Sequence, residues 1–152
     1  MSSAIIIFLA SKLHTVVVVV AVAAVLLLQK ETRKKALLHT LFVLPISYLV
    51  GRFASVIFDN PRPFVVDGFT PLVQHVVDNG FPSDHTLLTA TLASIIFVYN
   101  KPVGFFLFSL STLVGAARVL AGVHHYIDVA GSIVIAITTT YVVTILLRRL
   151  QQ

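Results

Sequence analysis

Three short segments hold the residues of this chain whose side chains can do chemistry. Residues 60–64 read NPRPF, residues 81–86 read FPSDHT, and the third segment contains Arg118, His124 and Asp128. A guanidinium group presents forked donors that match phosphate oxygens. An imidazole can attack as a nucleophile or deliver a proton. Together the segments predict a site that binds a phosphate group and reacts with it.

The third segment contains the predicted nucleophile. His124 and Asp128 are four residues apart, so on a helix they share one face. The carboxylate can then hold one imidazole nitrogen and leave the other free to attack. His125 is the rival nucleophile, but on a helix it points about 100° away from that face. His85, in the second segment, is available to protonate a leaving oxygen.

Four residues are predicted to bind the phosphate. Ser83 follows a proline and is a good N-cap for a helix. The first turn of that helix, which contains Asp84, presents unpaired N–H groups and the positive end of the helix dipole. Arg62 and Arg118 add guanidinium donors from the other two segments.

Other polar residues have a structural interpretation. A lone histidine near a helix end is usually hydrogen-bonded or interfacial, and a lone arginine at a span end usually reaches to the membrane surface. This interpretation weakens where two histidines, two arginines and an aspartate converge on one membrane face. We apply it to His14 and His39 as hydrogen-bonded or interfacial, to Asp67, Asp78 and His75 as parts of a solvated loop, and to Arg148 and Arg149 as surface cations.

The three segments resemble the motifs of the type 2 phosphatidic acid phosphatase superfamily, which also contains the vanadium haloperoxidases. That family has a lysine, six residues and Arg-Pro; then Pro-Ser-Gly-His; then Ser-Arg, five residues, His, three residues and Asp. The order and spacing agree over roughly residues 55–128. The matching positions are Arg62 and Pro63, then residues 82–85 with Asp84 in place of glycine, then Arg118, His124 and Asp128 with Ala117 in place of serine.

This resemblance implies a two-step phosphatase reaction that needs no metal and no cofactor. His124 would form a phosphohistidine, Asp128 would orient it, and His85 would protonate the leaving oxygen. Water would then hydrolyse the intermediate. The phosphate oxygens would be held by Arg62, Ser83 and Arg118.

The motifs are also similar to those of the bacitracin-resistance type of undecaprenyl pyrophosphate phosphatase. The similarity lies in residues 60–64, 81–85, 122–124 and 128–129. It implies an enzyme of the outer leaflet that recycles the polyprenyl carrier of cell-wall synthesis and gives antibiotic resistance. The expected partners are membrane lipids and a phosphorylated isoprenoid. Phosphatidylglycerophosphate, phosphatidate and lipid A phosphate are alternative substrates, because the head-group chemistry is shared.

One position departs from the family pattern. The first-motif lysine should fall at Ser55, and serine cannot supply a cation. Arg52, one helical turn earlier, is a possible substitute. Lys12 is another, if the first helix begins near Ile5 and brings this residue beside the site. Alternatively, Lys12 lies at the membrane interface and phosphate binding is weaker.

Five apolar runs must position these residues. The chain is 57% hydrophobic and 11% charged, whereas soluble domains carry about 25% charged residues. We therefore predict an all-α, polytopic membrane bundle in which residues 1–152 form a single domain, with about five transmembrane helices and a possible N-terminal interfacial segment. The runs are residues 5–28 or 13–28, 36–58, 83–99, 103–122 and 127–147.

Charge predicts the orientation of the bundle. Residues 29–35, 99–102 and the C-terminus hold seven cations and one acid, so this side is predicted to be cytoplasmic in a prokaryotic cell. The site and the N-terminus would then be extracytoplasmic. The cations lie in short connections and form no stripe for nucleic acid, and the chain has no cysteine for a thiol nucleophile or thiolate metal site.

An activity of another class is a further hypothesis. A transporter or binding protein could use the same cations to carry a phosphorylated lipid without cleaving it. The serine at position 55 favours this alternative. It predicts binding without release of phosphate.

Overall fold

Long helices dominate the computed structural model, which describes residues 2–149. Five of them correspond to the five apolar runs, and a single helical turn lies in the long loop between the second and third runs. Over residues 2–149 the only extended pairing is an isolated bridge between Pro61 and Asn79. The helices are α1 (Ser3–Leu26), α2 (Lys30–Ile57), α3 (Pro63–Val66), α4 (Asp84–Tyr99), α5 (Lys101–Leu120) and α6 (Tyr126–Arg149).

The first two helices begin earlier than their apolar runs predicted. α1 continues from Ser3 past Lys12 and His14 without a break, so no separate N-terminal interfacial segment exists in the described residues. α2 begins at Lys30 rather than near residue 36. Lysine, glutamate and arginine are good helix formers, so the basic connection continues the helix.

α4 lies at the centre of the bundle. α1, α2, α5 and α6 are long and apolar enough to cross a membrane, whereas α4 has 16 residues, or about 24 Å. It packs against all four of them. Protein therefore covers most of α4, and one of its hydroxyl groups has a partner on a neighbouring helix: Thr89 Oγ1 is 2.8 Å from Ser111 Oγ of α5. The lipid-facing surface is left to the outer helices, which expose many large apolar side chains.

A glycine turn explains why Arg118 and His124 meet. At the end of α5, Gly122 adopts a φ of 78°, in the left-handed region that favours glycine. The N–H of Val123 reaches back to the carbonyl of Arg118 at 3.3 Å, as in a Schellman ending. The chain reverses there, so the five intervening residues bring His124 back beside Arg118.

Hydrogen bonds join the two ends of the loop of residues 59–82 and fasten its middle to the end of α5. Asn60 O accepts the N–H of Gly80 at 2.9 Å, and the N–H of Leu72 reaches Ala121 O at 3.0 Å. Val73 is buried in an apolar cluster that contains Ala10 of α1. The loop therefore packs on the end of the bundle that carries the three motifs.

Candidate active site

The carboxylate of Asp128 both holds His124 and caps the start of α6. His124 is 2% exposed and Asp128 is fully buried. The Nδ1 atom of His124 lies 3.3 Å from Asp128 Oδ2, which also accepts the backbone N–H of His125 at 2.8 Å. The expected pair is therefore present, but not on a shared helical face, since His124 precedes α6. Asp128 is the third residue of the helix, and its carboxylate accepts the N–H of His125, the residue before the helix, as in a capping box.

Arg62 determines the tautomer of His124. Its Nη1 atom lies 3.2 Å from His124 Nε2, and a guanidinium can only donate. His124 Nε2 therefore accepts, and the ring proton lies on Nδ1, where it is donated to Asp128. Burial lowers the pKa of His124, the hydrogen bond to Asp128 opposes this shift, and Arg62 and Arg118 add to it. The ring is held neutral, with its nucleophilic nitrogen towards the guanidinium.

The two arginines of the site differ in their partners. Arg62 donates from Nε to Asp78 Oδ1 at 2.7 Å, from Nη1 to Val123 O at 2.8 Å and from Nη2 to Asn79 O at 3.4 Å. Arg118 is 4% exposed, yet its Nε and Nη2 atoms are buried without a hydrogen-bond partner. Such donors are rare in folded proteins and are expected where an anion binds.

Ser83 and Asp84 begin α4 differently from the prediction. Ser83 is the N-cap residue, but its side chain makes no capping hydrogen bond; Ser83 Oγ accepts from Thr86 Oγ1 at 3.1 Å. Asp84 is exposed, and its carboxylate would repel a phosphate, so only its backbone N–H is suited to bind one. The first backbone hydrogen bond of this helix runs from Leu87 N–H to Ser83 O. The backbone N–H groups of the first turn, before Leu87, therefore have no partner within the helix.

His85 has a histidine neighbour that the sequence interpretation treated as structural. The ring of His14, from α1, packs edge to face on His85 with 4.4 Å between ring centroids. His75 also differs from the solvated residue expected, because its ring lies 6.0 Å from that of His124. Burial lowers the pKa of His75, and Arg62 adds to this shift. Four imidazoles, rather than two, therefore surround the candidate site.

Two asparagines organise the site and were not assigned roles from the sequence. Asn60 Nδ2 donates to Asp128 Oδ1 at 2.6 Å, so the first motif supports the third. Asn79 Oδ1 accepts the N–H groups of Asn60 and Phe81 at 3.0 and 2.9 Å. The signal for Asn60 was its place next to Pro61-Arg62. Asn79-Gly80 indicated only a turn.

The substitute for the missing lysine stays a prediction. Lys12 and Arg52 are both exposed, and neither side chain makes a hydrogen bond within residues 2–149. The Ser55 hydroxyl donates to Arg52 O at 2.8 Å, so it caps its own helix. In the same part of the chain, no group of three or more His, Cys, Asp or Glu side chains is placed to bind a metal ion. Independence from metal is a prediction for experiment.

A family model described as the PAP2 superfamily matches residues 36–152. The chain belongs to the PAP2 superfamily. This confirms the resemblance found in the three motifs, all of which lie inside the matched region. α1 lies outside it.

Two curated relatives are similar to this chain over part of their length. The bacitracin transport permease protein BcrC of Bacillus licheniformis is 28% identical over 102 residues, 66% of this chain and 50% of that protein. The undecaprenyl-diphosphatase BcrC of Bacillus subtilis is 35% identical over 94 residues, 62% of this chain and 47% of that protein. The chain thus spans about half the length of these PAP2 relatives.

Two solved structures show the same fold. The LpxE structure of Aquifex aeolicus has a TM-score of 0.68 and 19% identity, and 92% of each chain is covered. The PAP2 type phosphatidylglycerolphosphate phosphatase of Bacillus subtilis has a TM-score of 0.61 and 20% identity, with 95% of this chain and 93% of that chain covered. The all-α membrane fold predicted from the sequence is confirmed.

Proposed function

We propose that this PAP2 chain is an integral membrane phosphatase that converts undecaprenyl diphosphate to undecaprenyl phosphate and inorganic phosphate. The observation that carries the proposal is the setting of His124, with Nδ1 towards Asp128 and Nε2 towards Arg62. Beside it, two buried nitrogens of Arg118 are free to bind an anion. A relative named undecaprenyl-diphosphatase supports this substrate.

The first step forms a phosphohistidine. Nε2 of His124 attacks the terminal phosphorus with its lone pair, and the bond from that phosphorus to the bridging oxygen breaks. The electron pair stays on the bridging oxygen, which takes a proton from the imidazolium of His85 and leaves as undecaprenyl phosphate. The modified ring of His124 gains positive charge, which the carboxylate of Asp128 stabilises.

The second step restores the enzyme. A water oxygen attacks the phosphorus of the phosphohistidine, and neutral His85 takes a proton from that water. The phosphorus–nitrogen bond breaks and its electron pair returns to Nε2 of His124. Inorganic phosphate is released, and His85 is again protonated for the next cycle. His124 is the nucleophile, and His85 acts as the acid in the first step and as the base in the second.

Charge stabilisation falls mainly to the arginines. During transfer, negative charge spreads over the three equatorial oxygens of the phosphoryl group. Arg118 has two buried donors without protein partners, so it can bind these oxygens without breaking a bond. Arg62 is held by three protein oxygens and acts chiefly as an oriented charge beside Nε2. Ser83 and the backbone N–H of Asp84 complete the proposed phosphate ligands.

The proposed orientation places the site on the extracytoplasmic side of the cytoplasmic membrane. The site lies where α2 and α5 end and where α4 and α6 begin. The seven cations counted in the sequence lie at the other end of these helices. Because cytoplasmic loops carry an excess of lysine and arginine, that end is predicted to face the cytoplasm. Cysteine accessibility at residue 70, introduced as Thr70→Cys, tests this orientation. Labelling by an impermeant thiol reagent in intact cells supports it, and labelling only in opened cells contradicts it.

Phosphate release by the purified chain in detergent tests the activity. Undecaprenyl diphosphate is compared with phosphatidylglycerophosphate, phosphatidate and lipid A phosphate, with and without a chelator. We expect the diphosphate to have the highest kcat/KM, unchanged by chelator, and His124→Ala to lower kcat by about 10⁴-fold or more. Loss of activity with chelator would contradict the metal-independent mechanism, and a faster monophosphate lipid would replace the substrate.

The non-hydrolytic alternative has its own support in the name of one relative, a bacitracin transport permease. A carrier would bind undecaprenyl diphosphate, release no phosphate, and keep its function in His85→Ala. Phosphatase activity in the wild type that falls in both His85→Ala and His124→Ala excludes it.

A further inference from the structure

α1 contributes a histidine to a site that otherwise comes entirely from the PAP2-matched residues. His14 packs its ring on His85 at 4.4 Å, with an angle of 87° between the planes. Nδ1 of His14 is buried and has no hydrogen-bond partner within residues 2–149. Nε2 lies 3.3 Å from Thr15 Oγ1, whose hydroxyl can donate to it and leave the ring proton on Nδ1. His14 thus has an unused donor next to the proposed acid.

We propose that His14 binds the leaving phosphate of a diphosphate substrate and thereby sets a preference for lipid diphosphates over lipid monophosphates. The inference rests on the proposed function, because it uses the roles of His124 and His85. It goes beyond that function by naming a second phosphate subsite, formed by a helix outside the matched family region.

The spatial arrangement of the histidines supports this subsite. In phosphoryl transfer the attacking and leaving groups are roughly in line on opposite sides of phosphorus. His124 attacks, so the leaving oxygen lies on the side of His85. His75 lies 6.0 Å from His124, whereas His14 contacts His85. His14 therefore lies on the leaving-group side of the site.

The chemistry of the leaving group makes the preference. The leaving group of a lipid diphosphate is a charged lipid phosphate, which can accept a hydrogen bond from the N–H of His14 Nδ1. The leaving group of a phosphate monoester is an alcohol, which carries no further phosphate oxygens. An N–H group on this side therefore stabilises the first leaving group and has no phosphate partner in the second. Hydrogen bonds to charged groups are about twice as strong as neutral ones.

The position of His14 also separates it from Lys12, the cation of α1. Lys12 is two residues earlier, or about 200° around the helix axis, and its side chain is exposed. Thr15 is exposed as well, whereas His14 faces α4 through His85. Of these α1 residues, His14 is the one in contact with the site.

A substrate ratio tests the proposal. His14→Phe keeps a ring against His85 and removes both nitrogens. Hydrolysis of farnesyl diphosphate and farnesyl phosphate is measured on wild type and variant, because the two substrates differ only in the leaving group. We expect the diphosphate-to-monophosphate ratio of kcat/KM to fall by about tenfold to a hundredfold, the range for loss of one hydrogen bond to a charged group. His39→Phe, the same exchange at a buried histidine far from the site, should leave the ratio unchanged.

A binding measurement makes the result independent of turnover. Methylenediphosphonate and inorganic phosphate are titrated into wild type and His14→Phe. The proposal predicts weaker binding of the diphosphonate, by a similar factor, with a smaller change for phosphate. An equal loss for both ligands, or for both substrates, would show that His14 only supports the fold and would overturn it. Wild type that binds both ligands but hydrolyses neither substrate would instead refute the proposed phosphatase function.

Discussion

His124 and His39 are buried at opposite ends of the bundle, and each is 2% exposed. Both are hydrogen-bonded on both ring nitrogens. At His39, Tyr99 OH lies 3.3 Å from Nδ1 and Thr144 Oγ1 lies 3.0 Å from Nε2. Thr144 donates its own proton to Thr140 O at 2.6 Å, so it must accept from Nε2, and Tyr99 donates to Nδ1. This network is closed, as predicted for a structural histidine.

The network around His124 is open by comparison. Its histidine is also fixed on both sides, but the neighbouring Arg118 retains two buried nitrogens without partners. A buried polar group without a partner costs stability, so folding alone would not favour it. This difference shows that neighbouring residues distinguish a structural histidine from a candidate site histidine when both are equally buried. One network joins α2, α4 and α6, and the other keeps donors for a ligand.

After removal of the nucleophile itself, the largest expected effect comes from Asp128→Asn. The amide is nearly the same shape but cannot stabilise positive charge on His124, and its NH2 group can favour the wrong ring tautomer. We expect kcat to fall by about 10³–10⁴-fold, as for comparable carboxylate–histidine pairs. Initial rates of phosphate release in detergent measure it. A rate above a tenth of wild type would show that His124 needs no carboxylate.

Arg118→Met should separate activity from stability. Loss of a donor to the transferring phosphoryl group should lower kcat by about 10²–10³-fold. Removal of a buried cation without partners should at the same time raise the free energy of unfolding by about 1–3 kcal/mol. Thermal unfolding in detergent provides the second measurement, with and without inorganic phosphate. A variant less stable than the wild type in the absence of phosphate would contradict the open network.

His39→Phe should show the opposite pattern. The ring volume is kept, but Tyr99 loses its acceptor, so we expect a loss of about 1–3 kcal/mol in unfolding free energy. The kcat/KM per folded molecule should stay at the wild-type value, because the network lies at the other end of α4. A selective loss of turnover in the folded fraction would mean that the two ends are coupled.

The smallest expected effect is on pH dependence. Burial and the nearby arginines lower the pKa of His124 from its ordinary value of 6.5, so the nucleophile stays neutral to more acidic pH. The acid limb of kcat/KM should therefore lie below pH 6.5. Arg62→Gln removes one of these charges and should move that limb to higher pH by about one unit or less. Arg148→Gln, at the opposite end, controls for a general charge effect and should not move it.

The sequence was most informative where a local pattern carries the chemistry. The motifs around Arg62, His85 and His124 predicted the side chains of the candidate site, whose catalytic roles stay a prediction, and the apolar runs predicted the five long helices. Spacing could not show that Asp128 caps the start of α6 while it holds His124, because that depends on where the helix starts. It predicted the pair correctly from a different geometry.

The remainder depended on contacts between distant residues. The side chain of Asn79 bonds to the N–H of Asn60 and to the carbonyls of Ser55 and Phe58. These three partners lie 19 to 24 residues before it in the sequence. Nothing in a lone Asn-Gly pair identifies such partners. His14 is 71 residues from His85, and only the packing of α1 on α4 brings the rings together. A lone histidine in an apolar helix gave no sign of that contact.

The closure of the loop of residues 59–82 has a consequence for how this protein can change over evolutionary time. Its two ends are fastened to each other by the Pro61–Asn79 bridge and by Gly80 N–H to Asn60 O. Within the stretch between them, the exposed residues 65–68 can therefore vary in length and composition while Arg62 and Asn60 stay in register with Asp128. Such a segment can acquire new head-group contacts by insertion or exchange, while the reacting groups keep their places.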